Sequence, residues 1–447
     1  MKKVFMILAA VAMISVVSCQ KPGATDGNKQ DDPQSQTDDP QTDDPNKPSG
    51  VEPDVSTEAY IEQTAKALMD ALDKKNWQAD AEFVHDVVKA LSSKDYNYEA
   101  LQQWSEELID MWKQDPVKDG NATYYRTIIK LSDAKGHFEE QADGSFSRTD
   151  ASDLQITINV NGEKVTATFA CTDSKTVIRV ANHESYSGPS APGETYSESY
   201  DVYSEYVYVP QTATLKILRG SAEFASLVLN AQSSIKDPER IDPTTDSFAV
   251  DVNLKVGAYT VAVNKLSYTS TKAIVDVKIL KDNASLVTVT ADADYVVDMN
   301  AQQPLPFTSG KVNAVIDVMG MIQFKGNLPD FAAFMNAGES MSESMREGNE
   351  AVIKAKIAAL EKTFSVKMYF NGTNTERASL GLEPFHYTDP YGNYEYWNCQ
   401  PVLRFPDGTS VGIEDYFNEK RFGNLMETTE NWWNDIQRYI NYLFGDI

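Results

Sequence analysis

Between residues 57 and 113, apolar residues recur every three or four positions, which places them on one face of an α-helix. Pro116 and Gly120 end this part of the chain. Stripes of this kind indicate helix faces that pack into a core rather than ligand sites. The pattern predicts three helices, whose stripes are Ile61, Ala65, Leu68 and Leu72; Phe83, Val84, Val87, Val88 and Leu91; and Leu101, Trp104, Leu108, Ile109 and Trp112.

After about residue 135 the apolar period changes to two, the spacing of a β-strand with one buried face. Asn161-Gly162 stands between two alternating runs and favours a two-residue hairpin turn. Closing that turn puts apolar side chains opposite one another on one face, so the register is over-determined. The predicted pairs are 160 with 163, Ile158 with Val165, Ile156 with Ala167, and Leu154 with Phe169.

The same register argument applies around Gly257-Ala258, where it pairs Leu254 with Val261 and Val252 with Val263. Strands with one apolar and one polar face belong to an antiparallel sheet that is solvated on one side. The chain from about 150 to 326 is therefore predicted to be a long meander of hairpins. Similar turns are expected at Arg219-Gly220, Asp282-Asn283 and Met319-Gly320.

The remainder of the chain mixes both periods. A short helix is predicted near Asp330 to Met335 and a longer one near Ser342 to Lys362, with strands near 364–370 and 401–413. A last amphipathic helix is expected through Trp432, Trp433, Ile436, Tyr439, Ile440 and Leu443.

The predicted fold class is therefore α+β, with N-terminal helices followed by a large antiparallel β-meander sheet and further helices, including an amphipathic C-terminal helix. The expected organisation is a helical segment over 56–134 and a sheet with C-terminal helices over 135–447. We expect these two parts to share one core.

The N-terminus carries an export signal. Lys2 and Lys3 precede an apolar run from Val4 to Ile14, which is too short to span a membrane. The following Val16-Val17-Ser18-Cys19 resembles the lipobox of bacterial lipoproteins. That resemblance implies removal of residues 1–18, a diacylglycerol on the Cys19 sulfur and acylation of the new amine. An ordinary cleaved signal and an uncleaved anchor are the alternatives.

Several acyl chains on one residue hold firmly, whereas one chain alone anchors only marginally. The membrane is thus an expected partner through this lipid, and no other cofactor is predicted. Gln20 is not an Asp, which in familiar Gram-negative lipoproteins is compatible with transport to the outer membrane. The expected location is the bacterial cell envelope, on either leaflet.

Residues 19–55 have the composition of a disordered linker. Nine acids stand against three lysines, and Thr-Asp-Asp-Pro occurs at 37–40 and again at 42–45. Such a chain cannot bury enough apolar surface to fold, and at ~3.1 Å per residue it reaches on the order of 100 Å when extended. We interpret it as a spacer between the membrane and the folded part. A calcium-binding or partner-binding acidic tail is the alternative.

The charge balance excludes some partners. The chain has 66 acidic and 40 basic residues and a formal net charge of −26. A polyanion repels phosphate backbones and anionic lipid head groups, so binding of nucleic acid through a basic patch is not expected.

Signatures of catalysis are missing. The sequence contains no Gly-x-Ser-x-Gly, His-Glu-x-x-His, Cys-x-x-Cys, P-loop or Gly-x-Gly-x-x-Gly motif. Ser132 with Lys135, and Ser233 with Lys236, match a two-residue pattern that recurs by chance. No catalytic residue is nominated, and the protein is expected not to be an enzyme.

Histidines and cysteines offer few sites. Of the four histidines, His137 and His183 lie beside glutamates but without a second histidine, so no metal site is predicted. Cys171 and Cys399 remain after lipidation, and export permits a disulfide between them. Alternatively Cys171 is a buried free thiol, because it continues an apolar strand face.

Two segments are rich in aromatic residues. The first contains Tyr186, Tyr196, Tyr200, Tyr203, Tyr206 and Tyr208. The second runs from Phe385 to Trp397 and supplies the candidate ligand-binding residues Tyr387, Tyr391, Tyr394, Tyr396 and Trp397. Aromatic faces beside carboxylates and amides suit sugar rings. Rings that cover the core or line a β edge are the structural alternative.

These features predict a non-enzymatic, membrane-anchored lipoprotein that binds a partner or serves an assembly. A carrier of a hydrophobic ligand is the more specific version, and it requires an apolar surface that the protein's own side chains leave open. The alternative is a glycan-binding or glycan-cleaving surface lipoprotein that uses the aromatic segment 385–397. That alternative requires exposed, coplanar rings.

Overall fold

The computed structural model describes residues 55–72, 75, 78–92, 99–187, 199–297, 307–347, 349–388 and 395–416. The predicted signal and lipobox, nearly all of the linker and the predicted C-terminal amphipathic helix lie outside these residues. The described chain falls into two compact units: a first unit within 75–269, and a second unit made of 55–72 and 270–416.

The helices within the described residues are α1 (Thr57–Leu72), α2 (Gln78–Ser92), α3 (Glu99–Trp112), α4 (Phe331–Glu347), α5 (Glu350–Glu361) and α6 (Ile413–Tyr416). A 3₁₀ turn covers Leu131–Asp133.

The strands of the first unit are β1 (Val117–Asp119), β2 (Ala122–Ile129), β3 (Gly136–Glu140), β4 (Phe146–Thr149), β5 (Leu154–Val160), β6 (Glu163–Ser187), β7 (Ser199–Arg219), β8 (Ala222–Ser234), β9 (Ser247–Val256) and β10 (Tyr259–Tyr268). Those of the second unit are β11 (Lys272–Lys281), β12 (Ala284–Val297), β13 (Phe307–Val318), β14 (Ile322–Leu328), β15 (Ser365–Phe370), β16 (Glu376–Thr388), β17 (Glu395–Arg404) and β18 (Ser410–Gly412).

The predicted hairpin registers are confirmed. Ile158 lies opposite Val165 and Leu154 opposite Phe169 across the turn at Asn161-Gly162. Asn161 and Gly162 have φ of 52° and 85°, the left-handed conformation that Asn and Gly tolerate best. The hairpin around Gly257-Ala258 has the predicted pairs as well, Leu254 with Val261 and Val252 with Val263. The turns at 219–220, 282–283 and 319–320 also join consecutive strands.

The predicted antiparallel sheet is confirmed in outline, but the first unit departs from a simple meander. From β5 to β10 each strand pairs with the next in antiparallel fashion. Two parallel pairs add to this: β3 lies beside β5, and β2 lies beside the first half of β7. The β2–β7 pair is possible because β7 has 21 residues and β8 pairs only with its last part, from Thr212 onward.

The core of the first unit lies between the sheet and helices α2 and α3. Trp104 of α3 meets Phe138 of β3 with ring centroids 5.2 Å apart, and Phe83 of α2 meets Phe224 of β8 at 4.7 Å. Leu101 and Trp104 of α3 are buried, and so is Phe138 of β3. Leu254 departs from expectation: its register is as predicted, but its side chain is 41% exposed.

The second unit is an uninterrupted antiparallel meander from β11 to β18. Helices α4 and α5 stand between β14 and β15 in the chain. Their boundary differs from the predicted one, because α4 continues to Glu347 and Asn349 caps α5 by accepting a 3.1 Å hydrogen bond from the Val352 amide. The strand predicted over 401–413 is divided by a turn into β17 and β18.

Candidate functional site

One face of the second unit's sheet is apolar across five strands. Residues that stand in register on neighbouring antiparallel strands point to the same face. One row consists of Val275, Ala291, Ala314, Gly326 and Val366, and the next of Val277, Val289, Ile316, Phe324 and Met368. These ten residues form what we call the apolar face. Their pattern follows from the alternation that the sequence shows along each strand.

The opposite face of the same strands is polar. Between the two apolar rows lies the row Asp276, Thr290, Val315, Lys325 and Lys367. The Lys325 ammonium stands 4.8 Å from the centroid of the Tyr369 ring, and Lys367 pairs with Glu376 at 2.7 Å. This face therefore has the composition of a solvated surface. Because side chains alternate along each strand, the apolar face points to the opposite side of the sheet.

Helix α1 borders the apolar face along the end where the hairpin turns lie. The Tyr60 and Phe370 rings are 4.3 Å apart between centroids. Further along the helix, the Thr64 hydroxyl lies 3.8 Å from the Met321 sulfur. At the end of the helix, Lys281 donates to the Ala71 carbonyl at 3.4 Å. The helix thus crosses the sheet from β15 to β11.

Helices α4 and α5 border the other part of the same face. Ile353, Ile357 and Leu360 of α5 are buried together with Met341 of α4. Lys356 donates to the Ser340 hydroxyl at 2.6 Å, which ties the two helices together. The strand residues packed against this helix pair are Leu382, Trp397 and Cys399.

Between α1 and the α4–α5 pair, the apolar face is incompletely covered. Ile316 is 40% exposed although it stands in the centre of an apolar row. Its neighbours Val277 and Val289 are only partly buried, and so are Ala291 and Ala314 in the adjacent row. The small side chains of that row lower the surface between the helices. We call this open strip the apolar trough.

The two ends of the second aromatic segment lie in strands β16 and β17. Tyr387 stands opposite Tyr396, and His386 opposite Trp397, in the β16–β17 pair. The Trp397 ring is partly buried against the α4–α5 helices and meets the His386 ring edge-on at 5.0 Å. Trp397 therefore packs in the manner of a core residue. Tyr391 and Tyr394 lie outside the described residues, and ligand binding by this segment stays a prediction.

Both remaining cysteines are free thiols in the structure, Cys171 in the first unit and Cys399 in the second. Each packs against the core of its own unit, Cys399 beside α5. The disulfide considered from the sequence stays a prediction. Burial raises the pKa of the Cys171 thiol to about 12, with a further contribution from the Asp173 carboxylate. Burial also raises the pKa of Cys399.

Two exposed rings are coplanar, and one of them belongs to the first aromatic segment. Tyr203 of β7 stacks on Tyr125 of β2 with centroids 4.6 Å apart and planes only 6° from parallel. Their side chains are 41% and 37% exposed, and His183 stands beside Tyr203 at 6.5 Å. Tyr206, by contrast, is buried under the Arg126 guanidinium. Sequence reasoning missed Tyr125, because its partner strand is far away in the chain.

Two of the remaining chemical candidates, His137 and Ser132, have structural partners. His137 contacts the Asp153 carboxylate at 2.9 Å. The Ser132 hydroxyl donates to Asp173, while Lys135 is exposed. Within the described residues no three His, Cys, Asp or Glu side chains form a cluster that would hold a metal ion.

In the described part of the chain, no helix combines the length and apolar character that crossing a bilayer requires. Comparison with known proteins gave no matching family model, no matching curated protein and no matching solved structure.

Proposed function

We propose that this protein is a non-enzymatic, lipid-anchored envelope protein that carries a hydrophobic ligand in the apolar trough of its second unit. The observation that carries this proposal is Ile316, an apolar residue in the middle of an apolar sheet face that is 40% exposed between two bordering helix layers. The residues around Ile316 in the two apolar rows are only partly buried, and a contiguous apolar strip that stays open to water is the kind of surface that marks binding sites in soluble proteins.

The dimensions of the trough suit an acyl chain. Five neighbouring strands at ~4.8 Å spacing give a width of about 19 Å. Each methylene removed from water contributes roughly 0.8 kcal/mol, so about ten buried methylenes give an upper limit near 8 kcal/mol. Part of that free energy offsets the loss of ligand freedom, which leaves binding that is reversible. Reversible binding is what a carrier needs.

Native mass spectrometry tests the proposal directly. Residues 56–447 are purified gently from bacterial cells, and the native mass is compared with the denatured mass. We expect a discrete additional mass that proves to be a lipid. The matched pair of variants is Ile316→Asp, which puts a charge into the trough, and Val315→Asp, which puts the same charge on the opposite face.

The lipid mass should disappear from Ile316→Asp and persist in Val315→Asp, with circular dichroism showing that both variants fold. A wild-type protein that carries no lipid, and takes none up from vesicles, would rule out the carrier function. Equal loss in both variants would place the ligand elsewhere.

The membrane attachment is part of the proposal. It rests on the sequence Val16-Val17-Ser18-Cys19, which predicts a lipid on Cys19, and on the acidic linker that follows. We expect the intact mass of detergent-extracted protein to match residues 19–447 plus diacylglycerol and an acyl chain. Cys19→Ser should abolish both the added mass and the recovery of the protein in the outer-membrane fraction. A mass equal to residues 1–447 would contradict the anchor.

Two features of the fold belong to the proposal as well. Residues 56–134 are helical only as far as Trp112, because β1 and β2 follow at 117–129. We propose that this part of the chain and the rest of the sheet are built around common apolar cores, and that the residues from Trp432 to Leu443 form an amphipathic helix. Helices α1 to α3, which precede β1 in the chain and pack on sheet residues, support the first part. Helical hydrogen-exchange protection through 432–443 would test the second.

A further inference from the structure

A depression of about 380 Å³ lies on the sheet of the first unit, across β7, β8, β9 and β10. The depression is shallow and open to solvent, because Asn230, Gln232 and Asp251 in its lining are exposed. Unlike the apolar trough, it is lined mainly by hydrogen-bonding side chains. Because the depression belongs to the first unit alone, a ligand bound there is independent of the proposed carrier function.

Two β-bulges frame the depression. On β7, Gln211 is the extra residue between the pairs Thr212–Thr172 and Pro210–Asp173. On β10, Asn264 and Lys265 together stand opposite the single residue Asp251 of β9. A bulge twists its strand and re-aims the side chains at that point, and bulges are frequent beside binding sites. Here both bulged residues, Gln211 and Asn264, line the depression.

One short side chain lies on the floor between the bulges. Ala249 of β9 lines the depression directly opposite the longer Gln232 of β8. Ala231 points to the other face of the sheet, where its partner Val250 is buried in the core. The depression therefore follows in part from sequence, because the short Ala249 stands among longer polar side chains.

The polar groups are already held in place by neighbours. The Asn230 amide donates to the Asp251 carboxylate at 2.6 Å across β8 and β9. In the same row, the hydroxyls of Thr172 and Thr212 are 2.6 Å apart. Because these groups are oriented before any ligand arrives, less conformational entropy is lost on binding.

We propose that this depression binds a neutral sugar ring. Amide side chains both donate and accept hydrogen bonds, which matches the hydroxyl groups of a sugar, each of which does the same. The charged groups of the lining are one carboxylate, Asp251, and one ammonium, Lys265, so the site favours neither an anion nor a cation. Asn230 and Asp251 stand side by side in one row of the sheet, joined by their hydrogen bond, and both are exposed.

The test uses purified full-length protein and neutral oligosaccharides: cellotetraose, maltotetraose, xylotetraose and tri-N-acetylchitotriose. Saturation-transfer NMR identifies which of them binds, and calorimetric titration gives the affinity. We expect at least one to bind, and we expect Asn230→Ala and Asp251→Ala each to weaken it by a factor of ten or more. Gln232→Ala should weaken it less, because that residue lies beside the paired row.

The matched control is Asn253→Ala. Asn253 is exposed on β9, two residues from Asp251 on the same face, and does not line the depression. Its substitution should leave the affinity unchanged. The proposal is overturned if none of the oligosaccharides binds, or if Asn253→Ala weakens binding as much as Asn230→Ala does. Preference for an acidic oligosaccharide over the neutral ones would also overturn it.

Discussion

Asp80 of α2 lies directly over Gly257, the first residue of the turn between β9 and β10, so closely that a Cβ on Gly257 would overlap the Asp80 carboxylate. Gly257 also has a φ of +55°, in the left-handed region. The same helix contacts two other hairpin turns. The Asn161 amide donates to Asp86 at 2.7 Å, and the Arg219 guanidinium stands 4.5 Å from the centroid of the Phe83 ring. Helix α2 thus holds a row of turns in place.

We expect Gly257→Ala to lower the free energy of unfolding by about 2–3 kcal/mol, because the left-handed backbone costs ~1–2 kcal/mol for a non-glycine residue and Asp80 must also move. Urea denaturation gives the value. Gly220→Ala is the matched control, since Gly220 has a φ of +60° and nothing within 4 Å of an added Cβ. If both variants lose the same stability, the contact with Asp80 has no effect.

The charge of Asp80 should make stability depend on pH. Burial raises the pKa of its carboxyl, and the Arg219 guanidinium offsets only part of that effect. The folded protein therefore holds this proton more tightly than the unfolded chain does, so ionisation disfavours the folded state. The penalty is absent well below the unfolded pKa of ~3.9 and is complete once the pH exceeds the folded pKa.

Asp80→Asn removes this penalty. We expect it to raise the urea midpoint at pH 7 relative to the wild type, and to leave the midpoint at pH 3 nearly unchanged. A change of equal size at both pH values would mean that the substitution acts through packing or hydrogen bonding rather than through the charge.

Cys171 should react slowly with thiol reagents. With its pKa raised to about 12, only about one molecule in 10⁴ carries the thiolate at pH 8, compared with roughly one in four for an unperturbed cysteine. We expect iodoacetamide to leave Cys171 unmodified in the folded protein and to modify it fully in urea, as read by peptide mass spectrometry. Rapid modification of the folded protein would contradict the burial of this sulfur.

The stacked tyrosines Tyr125 and Tyr203 should be coupled in energy. Aromatic pairs of this geometry contribute ~0.5–1.5 kcal/mol beyond the area they bury, and their exposure favours the lower end of that range. A double-mutant cycle with Tyr125→Ala and Tyr203→Ala, read by urea denaturation, measures the coupling. If the change in unfolding free energy of the double variant equals the sum of the two single changes, the rings stack without stabilising the fold.

The sequence predicts pairs of strands that are neighbours along the chain better than pairs that are far apart in it. The hairpin of Leu154 with Phe169 follows from local turn chemistry, because Asn161-Gly162 leaves one register in which apolar residues face one another. The parallel pair of Tyr125 with Tyr203 has no such local signal. Its partners are separated by several complete strands, and alternation alone does not say which strand lies beside which.

The candidate sites are less predictable than the strands. The apolar rows of the second unit are readable in the sequence, but the exposure of Ile316 depends on where α1 and α4 end. Trp397 is a candidate from the sequence because it stands in an aromatic segment, yet its ring packs against α4 and α5. The depression beside Asn230 depends on bulges in β7 and β10, and a bulge has no reliable sequence signature.

The parallel pairing of β2 with β7 has a consequence for the time course of folding. If the chain is exported with its N-terminus first, Ile129 at the end of β2 emerges long before Ser199, the first residue of β7. Until β7 exists, that edge of β2 has no neighbour, and a strand with adjacent Tyr124 and Tyr125 is open to wrong partners. The first unit should therefore close late and slowly, with the β6–β7 hairpin forming first and β2 joining it last.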